Sequence, residues 1–166
     1  FKEFTLCQSM DACFRVFNVA PIILVNVLDP SNPAHTKENA AEDCSVSDGQ
    51  AVYRADYVLL DTLVVQAGEN TLERDTDYIA VHAKDGSVLI TLLSEEAKGA
   101  VQLSVSSKSL DPSGVTQADI VGGVDAQTGK ETGLELVRQI YPKLGMTPGL
   151  LLTPGWSQTP VVAAAL

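Results

Sequence analysis

The sequence predicts an α/β body that is interrupted by an inserted antiparallel β domain of the sandwich type. Helical periodicity and a continuous apolar run occur near the start of the chain and again after residue 117. Between these regions lie short β-branched runs separated by turn residues. Residues 1–35 and 117–166 are therefore predicted to form one discontinuous α/β body, and residues 36–116 the inserted domain.

The body is expected to begin with an amphipathic helix in FKEFTLCQSMDACFRVF. Its apolar face would consist of residues three or four apart: Phe4, Cys7, Met10 or Asp11, Phe14 and Phe17. The run APIILVNVL follows and ends at Asp29 and Pro30. A continuous apolar run is typical of a strand buried on both faces, so a core strand of the body is predicted here.

A polar connector without sustained periodicity is predicted from Pro30 to about Ser47. The β domain then contains the runs YVLL, TLVVQ, DYIAVHA, SVLITLL and VQLSVSS. The Asp-Gly pair in KDGS, between two such runs, is the strongest hairpin signal in the chain. Two alternating patterns indicate antiparallel strands with one solvent-exposed face. In the first, Ile79, Val81 and Ala83 alternate with Ala80, His82 and Lys84. In the second, Val101, Leu103 and Val105 alternate with Gln102, Ser104 and Ser106.

Helical periodicity returns in TGLELVRQIYPKLG, where Leu134, Val137, Ile140 and Tyr141 would line one face. Thr132 is the candidate N-cap of this helix and Gly145 its end. TPGLLLTPG is predicted to be a second buried strand. A last helix from Gln158 to Leu166 would have Thr159 as its N-cap and Pro160 in its first turn.

Composition and charge exclude several classes of function. The chain has 166 residues, 45% of them hydrophobic, with a net charge of −10 and a pI near 4.4. An acidic surface repels a phosphate backbone, so nucleic acid is not an expected partner. The apolar runs are too short to cross a bilayer and no leader opens the chain, so a soluble protein that does not contact membranes is expected. Cys7, Cys13 and Cys44 form no CxxC pair and are expected to be free thiols.

The two ends of the sequence suggest a piece of a longer protein. The chain begins at Phe1 without an initiator methionine. It ends in the apolar, helix-like run VVAAAL, with no C-cap glycine or polar tail. We therefore expect the body to be truncated at both ends.

The stretch GGVDAQTGKETG, residues 122–133, resembles a phosphate-binding loop but departs from it at two functional positions. Five residues separate Gly123 from Gly129 where the P-loop has four, and Glu131 follows Lys130 where a hydroxyl should reach magnesium. The expected structure is a turn, with Gly122, Gly123 and Gly129 supplying flexibility where the chain re-enters the body.

Two further motifs fall short of a site. The first motif, Gly155 to Ser157, matches part of a hydrolase nucleophile elbow, but Thr159 replaces the second glycine of that elbow. A serine nucleophile also needs a base, and the two histidines of the chain lie in a connector (His35) and in a strand of the inserted domain (His82). The acidic turn ERDTDY, with Glu73, Asp75 and Asp77, lacks a calcium-loop signature. No catalytic, cofactor-binding or metal-binding residue is predicted.

A series of motifs extends from ADIVGG to the end of the chain. It comprises Gly122 and Gly123, then Thr128 and Gly129, a helix from about Gly133, a strand at Leu150 to Leu152, a turn from Thr153 to Ser157 with an aromatic residue and a serine, and the small apolar residues Val161 to Leu166. The order and spacing of these motifs resemble the conserved body of phage tail sheath proteins. Thr153 stands where the family more often has alanine. Asp77 and Tyr78, after an acidic turn, match a motif in the family's inserted β domain.

The resemblance implies a structural subunit of a contractile tail, as in myovirus-type phages, prophages and related bacteriocins. Subunits of this family stack as hexameric rings around a tail tube and contract to drive it through a target envelope, without a cofactor. The expected partners are other sheath subunits and the tube protein. The expected location is the virion tail sheath, with the host cytoplasm as the site of assembly. Two alternatives stay open: a serine hydrolase that uses Ser157, and a binding module in the inserted β domain.

Overall fold

The computed structural model describes residues 6–166, so Phe4 of the predicted first helix lies outside the described residues. These residues fall into two compact units. Pro30–Asp111 form one, here called the sheet unit. The described residues up to Asp29, together with Pro112–Leu166, form the other, here called the flanking unit.

The sheet unit contains seven strands joined into one antiparallel sheet. In chain order they are β1 (Thr36–Ser47), β2 (Gln50–Tyr53), β3 (Val64–Ala67), β4 (Asn70–Thr71), β5 (Tyr78–His82), β6 (Val88–Leu92) and β7 (Gln102–Leu110). Their order across the sheet is β4-β3-β7-β1-β2-β6-β5, and every neighbouring pair is antiparallel. The predicted antiparallel β structure is confirmed, but as one continuous sheet in place of two stacked ones.

The long strand β1 joins the two halves of this sheet. Its pairing with β7 extends from Thr36 opposite Leu110 to Ser45 opposite Gln102, with a register shift between Asn39 and Glu42, and its end pairs with β2. The predicted connector is therefore wrong from residue 36 onward. Most β1 side chains are exposed, so the sequence of this strand lacks the apolar periodicity from which a strand can be predicted. Backbone hydrogen bonds to β7 hold β1 in place.

The curled sheet encloses one apolar core. Fourteen buried side chains from both halves of the sheet, and from the short helix α2 (Glu95–Lys98), pack together. Their largest members are Tyr53, Tyr78, Ile90 and Leu103. Burial of these side chains supplies the main stabilisation of the sheet unit.

The KDGS hairpin between β5 and β6 is confirmed. Gly86 has a φ of 92°, and the Ala83 N–H donates to the Ser87 carbonyl over 2.8 Å. The Asp85 carboxylate accepts the Ser87 N–H over 3.1 Å and the Ser87 hydroxyl over 2.6 Å. These hydrogen bonds hold the pKa of Asp85 below its usual value.

The sequence pattern predicts that the Ile79 and Val81 side of β5 faces the core, but the structure buries the opposite side. Ile79 and Val81 are 39% and 51% exposed, while Tyr78 and Ala80 are buried. The large Tyr78 ring fills the core, and its hydroxyl donates to the Leu63 carbonyl over 3.4 Å, which fixes the register.

Two other predicted strand runs need smaller corrections. On β7 the buried residues are Leu103 and Val105 as predicted, but Val101 precedes the strand and is 81% exposed. The predicted run YVLL is not a strand, because Val58 makes only a single bridge to Ser109 and Leu60–Thr62 form a 3-10 helix.

The flanking unit consists of short elements. The predicted first helix is present as α1 (Leu6–Asp11), which continues with π-type hydrogen bonding over Ala12–Val16. The others are a 3-10 helix (Pro112–Gly114), α3 (Gln117–Val121), β8 (Gly123–Val124), β9 (Glu131–Thr132), a second 3-10 helix (Gly133–Gln139), α4 (Ile140–Leu144) and α5 (Pro160–Ala165). None of the helices in the described part of the chain is long and apolar enough to cross a membrane.

The helix ends of this unit follow the sequence in part. Gly145 ends α4 in the left-handed conformation, and Pro160 occupies the first turn of α5. Thr132 and Thr159 stand at the N-terminal ends of their helices with extended backbones, but neither side chain makes a capping hydrogen bond.

The two buried strands predicted for the body are absent from this structure. Ala20–Leu28 and Leu150–Leu152 form neither helix nor strand. A core strand exists only where neighbouring strands accept its backbone hydrogen bonds, and within residues 6–166 no strand pairs with either run. The α/β body is therefore not seen among the described residues.

Candidate functional site

The stretch that resembles a phosphate-binding loop forms a closed β hairpin. Gly123 pairs with Thr132 and Val124 with Glu131, so β8 and β9 form a two-stranded ladder. Beyond the ladder the Asp125 N–H donates to the Lys130 carbonyl over 2.9 Å. The predicted turn is present, as a hairpin with a tight loop.

Oxygen atoms of the loop itself accept hydrogen bonds from several of its backbone N–H groups. The Asp125 carboxylate accepts the N–H groups of Gln127 and Thr128 over 2.9 and 2.7 Å, and the Asp125 carbonyl accepts the Gly129 N–H over 2.8 Å. The Thr128 N–H contributes most to holding the pKa of Asp125 below its usual value. These N–H groups of the loop therefore donate to a carboxylate of the chain itself.

The glycines at the two ends of this hairpin touch each other. Gly122 has a φ of 69° and Gly133 a φ of 59°. A Cβ atom on Gly122 would lie 1.9 Å from the Thr132 carbonyl oxygen, and one on Gly133 would lie 2.6 Å from the Gly122 Cα. Both positions therefore require glycine, because backbone atoms cannot move aside as a flexible side chain does.

Ser157 is engaged in a local turn. Its hydroxyl donates to the Thr153 carbonyl over 2.9 Å, and its N–H donates to the same oxygen over 3.1 Å. The Thr153 hydroxyl lies 3.1 Å from the Ser157 oxygen, and Thr153 is buried. His35 and His82 both belong to the sheet unit. Through these hydrogen bonds Ser157 closes the turn that precedes α5.

The acidic turn before β5 is likewise organised by internal hydrogen bonds. The Asp77 carboxylate accepts the Glu73 N–H over 2.9 Å, which contributes most to lowering the pKa of Asp77. The Asp75 N–H donates to the Tyr78 carbonyl over 2.8 Å, and Arg74 pairs with Asp61 over 2.9 Å. No group of three potential metal ligands occurs among residues 6–166.

The three cysteines are free thiols in the described structure. Cys7 and Cys13 are partly exposed in the flanking unit, and Cys44 is buried in the sheet core. Burial, reinforced by the charges of Glu42 and Asp43, raises the pKa of Cys44. A thiol with a raised pKa is a poor nucleophile at neutral pH.

Sequence reasoning missed a buried polar network between β1, β2 and β7. The Asn39 amide donates to Ser107 over 2.9 Å and to Ser109 over 2.6 Å, and the Tyr53 hydroxyl lies 3.1 Å from the Ser107 oxygen. Asn39 precedes a register shift in β1. Its sequence neighbours are polar, so no sequence pattern marks it as part of the core.

Apolar exposure is concentrated in the flanking unit. Of eighteen exposed large hydrophobic residues in the described chain, twelve lie in this unit, among them Phe14, Phe17, Leu24, Leu150 and Leu152. In contrast, among the residues that the structure describes, the unit has only two buried large apolar side chains, Ile140 and Val162. Exposed apolar surface on this scale is characteristic of a surface that another protein segment covers.

Charge is concentrated in the other unit. Pro30–Asp111 contain 14 acidic and 6 basic residues, a net charge of −8. The rest of the chain contains 7 acidic and 5 basic residues, a net charge of −2. The nearly neutral, apolar flanking unit is therefore suited to association, and the acidic sheet unit to contact with solvent.

Comparison with known proteins finds a phage protein that is similar to this chain. The chain is 30% identical over 156 residues to the tail sheath protein of the Burkholderia phage BcepMu. The match covers 92% of this chain but 31% of that protein, so the chain spans less than a third of its relative. No family model matches the chain, and no solved structure is significantly similar to it. The resemblance to tail sheath proteins that the sequence indicates is confirmed by this relative.

Proposed function

We propose that this chain, a homologue of a phage tail sheath protein, is part of the structural subunit of a contractile tail sheath. The complete subunit polymerises with copies of itself around a tail tube, in stacked hexameric rings. Contraction of this array drives the tube through the envelope of a target cell. The subunit assembles in the cytoplasm of a bacterial host and functions in the virion tail.

The single observation that carries this proposal is the match to a tail sheath protein over 92% of the chain. The match spans both units, so it does not rest on one common motif. The separation of apolar and acidic surface supports the same function, since a sheath subunit needs a body that associates and a region that stays solvated.

We also propose that the flanking unit belongs to an α/β body and that the sheet unit is a domain inserted into it. The predicted bounds are residues 1–35 and 117–166 for the body and 36–116 for the insert. The insert would face outward and contribute little to contacts within a ring. Deletion of residues 36–116, with a short glycine-serine linker, is expected to leave polymerisation intact, and loss of polymerisation would refute this arrangement.

In this account the chain is not an enzyme, and no step needs a cofactor. The energy for contraction would come from a metastable arrangement of subunits that relaxes as interfaces re-form. Ser157→Ala compared with the parent protein on generic ester substrates tests the rival hydrolase function. Equal, background rates are expected, because the Ser157 hydroxyl already donates to Thr153; serine-dependent turnover would overturn the non-enzymatic account.

Ultracentrifugation of the full-length protein, expressed without other tail proteins, tests the sheath function itself. The protein is expected to sediment as particles far heavier than one subunit. A control at low protein concentration should shift these particles towards the subunit peak, because dilution dissociates a reversible polymer. A protein that stays monomeric under all assembly conditions would contradict the proposal.

A further inference from the structure

We propose that the exposed apolar side chains of the flanking unit are covered by other segments of the same polypeptide, before any subunit assembles. This inference rests on the proposed function and names the partner of that surface. The side chains in question include Phe14, Phe17, Leu24, Leu150 and Leu152. The alternative partner, a neighbouring subunit, would cover them only in the polymer.

The first argument is the size of the unit's own core. Ile140 and Val162 are its fully buried large apolar residues in the described chain, against fourteen buried hydrophobic residues in the sheet unit. The hydrophobic effect must offset the conformational entropy lost when a chain becomes ordered, and two buried side chains fall far short of that for a unit of this size. In this proposal the subunit folds before it adds to a growing tube, so the missing burial comes from its own chain.

The second argument is the backbone of the run from residue 20 to residue 28. This run contains Ile22, Ile23, Leu24 and Val25 in sequence, yet it forms neither helix nor strand and no described strand pairs with it. Buried backbone N–H and C=O groups require partners, and a continuous apolar run suits a strand flanked on both sides. The same holds for Leu150–Leu152, where Leu150 is 75% exposed. Both runs therefore have the composition of strands that are flanked on both sides.

The third argument is the amount of chain available. The match covers 31% of the tail sheath relative, so more than two thirds of that protein lies outside the matched part. The low net charge of −2 in the flanking unit presents little electrostatic repulsion to such segments. The remainder of the subunit is thus long enough to supply both the strands and the apolar cover.

Hydrogen exchange measured by mass spectrometry tests this inference. The samples are the full-length protein, isolated as unassembled subunit by size exclusion, its polymer, and residues 1–166 alone. Peptides that cover residues 20–28 and 149–153 are expected to exchange at least 100-fold more slowly in the unassembled subunit than in residues 1–166. Peptides from β7 serve as the internal control, because that strand is central in the sheet and should be protected in all three samples.

Fast exchange of both runs in the unassembled subunit, with protection only in the polymer, would overturn the inference in favour of a neighbouring subunit. Leu152→Asp gives a second readout, with Val101→Asp, at an exposed site in the sheet unit, as its control. Leu152→Asp should lower the yield of folded subunit at least fivefold, and Val101→Asp should not. A Leu152→Asp protein that folds normally but fails to polymerise would also overturn the inference. Protection without any polymer would refute the sheath function and leave this inference standing.

Discussion

Replacement of Gly122 by alanine is expected to open the hairpin formed by β8 and β9. The backbone of Gly122 has φ 69° and ψ −151°, a conformation that is almost confined to glycine and costs other residues about 1–3 kcal/mol. The new Cβ would also lie 1.9 Å from the Thr132 oxygen and 2.3 Å from the Thr132 carbonyl carbon. Both atoms are backbone, so the strand itself must move, and losing its hydrogen bonds costs roughly 1 kcal/mol each. The expected loss of stability is about 3–5 kcal/mol.

Two other glycines of the same stretch provide matched controls. Gly129 has a φ of 68° but open space around its Cα, so Gly129→Ala should cost only the conformational strain of about 1–2 kcal/mol. Gly123 has neither a positive φ nor a close neighbour, so Gly123→Ala should change stability by less than about 1 kcal/mol. Urea unfolding of the full-length protein, followed by fluorescence of Trp156 in the flanking unit, measures all three. Equal stabilities for Gly122→Ala and Gly123→Ala would refute the reasoning.

Four further predictions concern the sheet unit. Ile90→Ala should destabilise it by about 2–5 kcal/mol in urea unfolding, and Ile79→Ala on the exposed face by less than about 1 kcal/mol. Tyr53→Phe should cost roughly 1 kcal/mol in the same assay, because it removes the hydrogen bond to a core serine. The pKa of Asp85 is lower in the folded state than in the unfolded state. The ionised carboxylate therefore stabilises the fold above the unfolded-state pKa, and this contribution is lost as the pH falls through the folded-state pKa. The difference in unfolding free energy between the parent and Asp85→Asn should therefore close below pH about 4. Raising NaCl from about 20 to 200 mM should increase the polymerised fraction measured by sedimentation, because the net charge of −8 on Pro30–Asp111 repels neighbouring subunits at low salt.

Local signals in the sequence predicted local structure well. The KDGS hairpin follows from an Asp-Gly pair that sets its own turn, and Gly145 ends its helix in the left-handed conformation that glycine permits. Non-local features were harder to predict. β1 is held by a partner strand about seventy residues away along the chain, and the inward face of β5 depends on whether Tyr78 or Ile79 fits the core.

For the hairpin of residues 122–133, the sequence predicted the absence of a phosphate site but not the contacts within the loop. The misplaced glycine and Glu131 argue against phosphate from the sequence alone. Two details needed coordinates: that the Asp125 carboxylate accepts N–H groups of the loop, and that Gly122 permits close backbone approach as well as flexibility. The apolar runs at residues 20–28 and 150–152 pose the opposite problem, since their sequence indicates strands whose partners the described chain does not contain.

Electron microscopy of the full-length protein, expressed alone and negatively stained, tests the central claim most directly. A sheath subunit should form hollow, regularly striated tubes, with a lumen wide enough to hold an inner tube. The variant without residues 36–116 should form tubes of smaller outer diameter and the same striation. Amorphous aggregates, or particles without a lumen, would contradict the account.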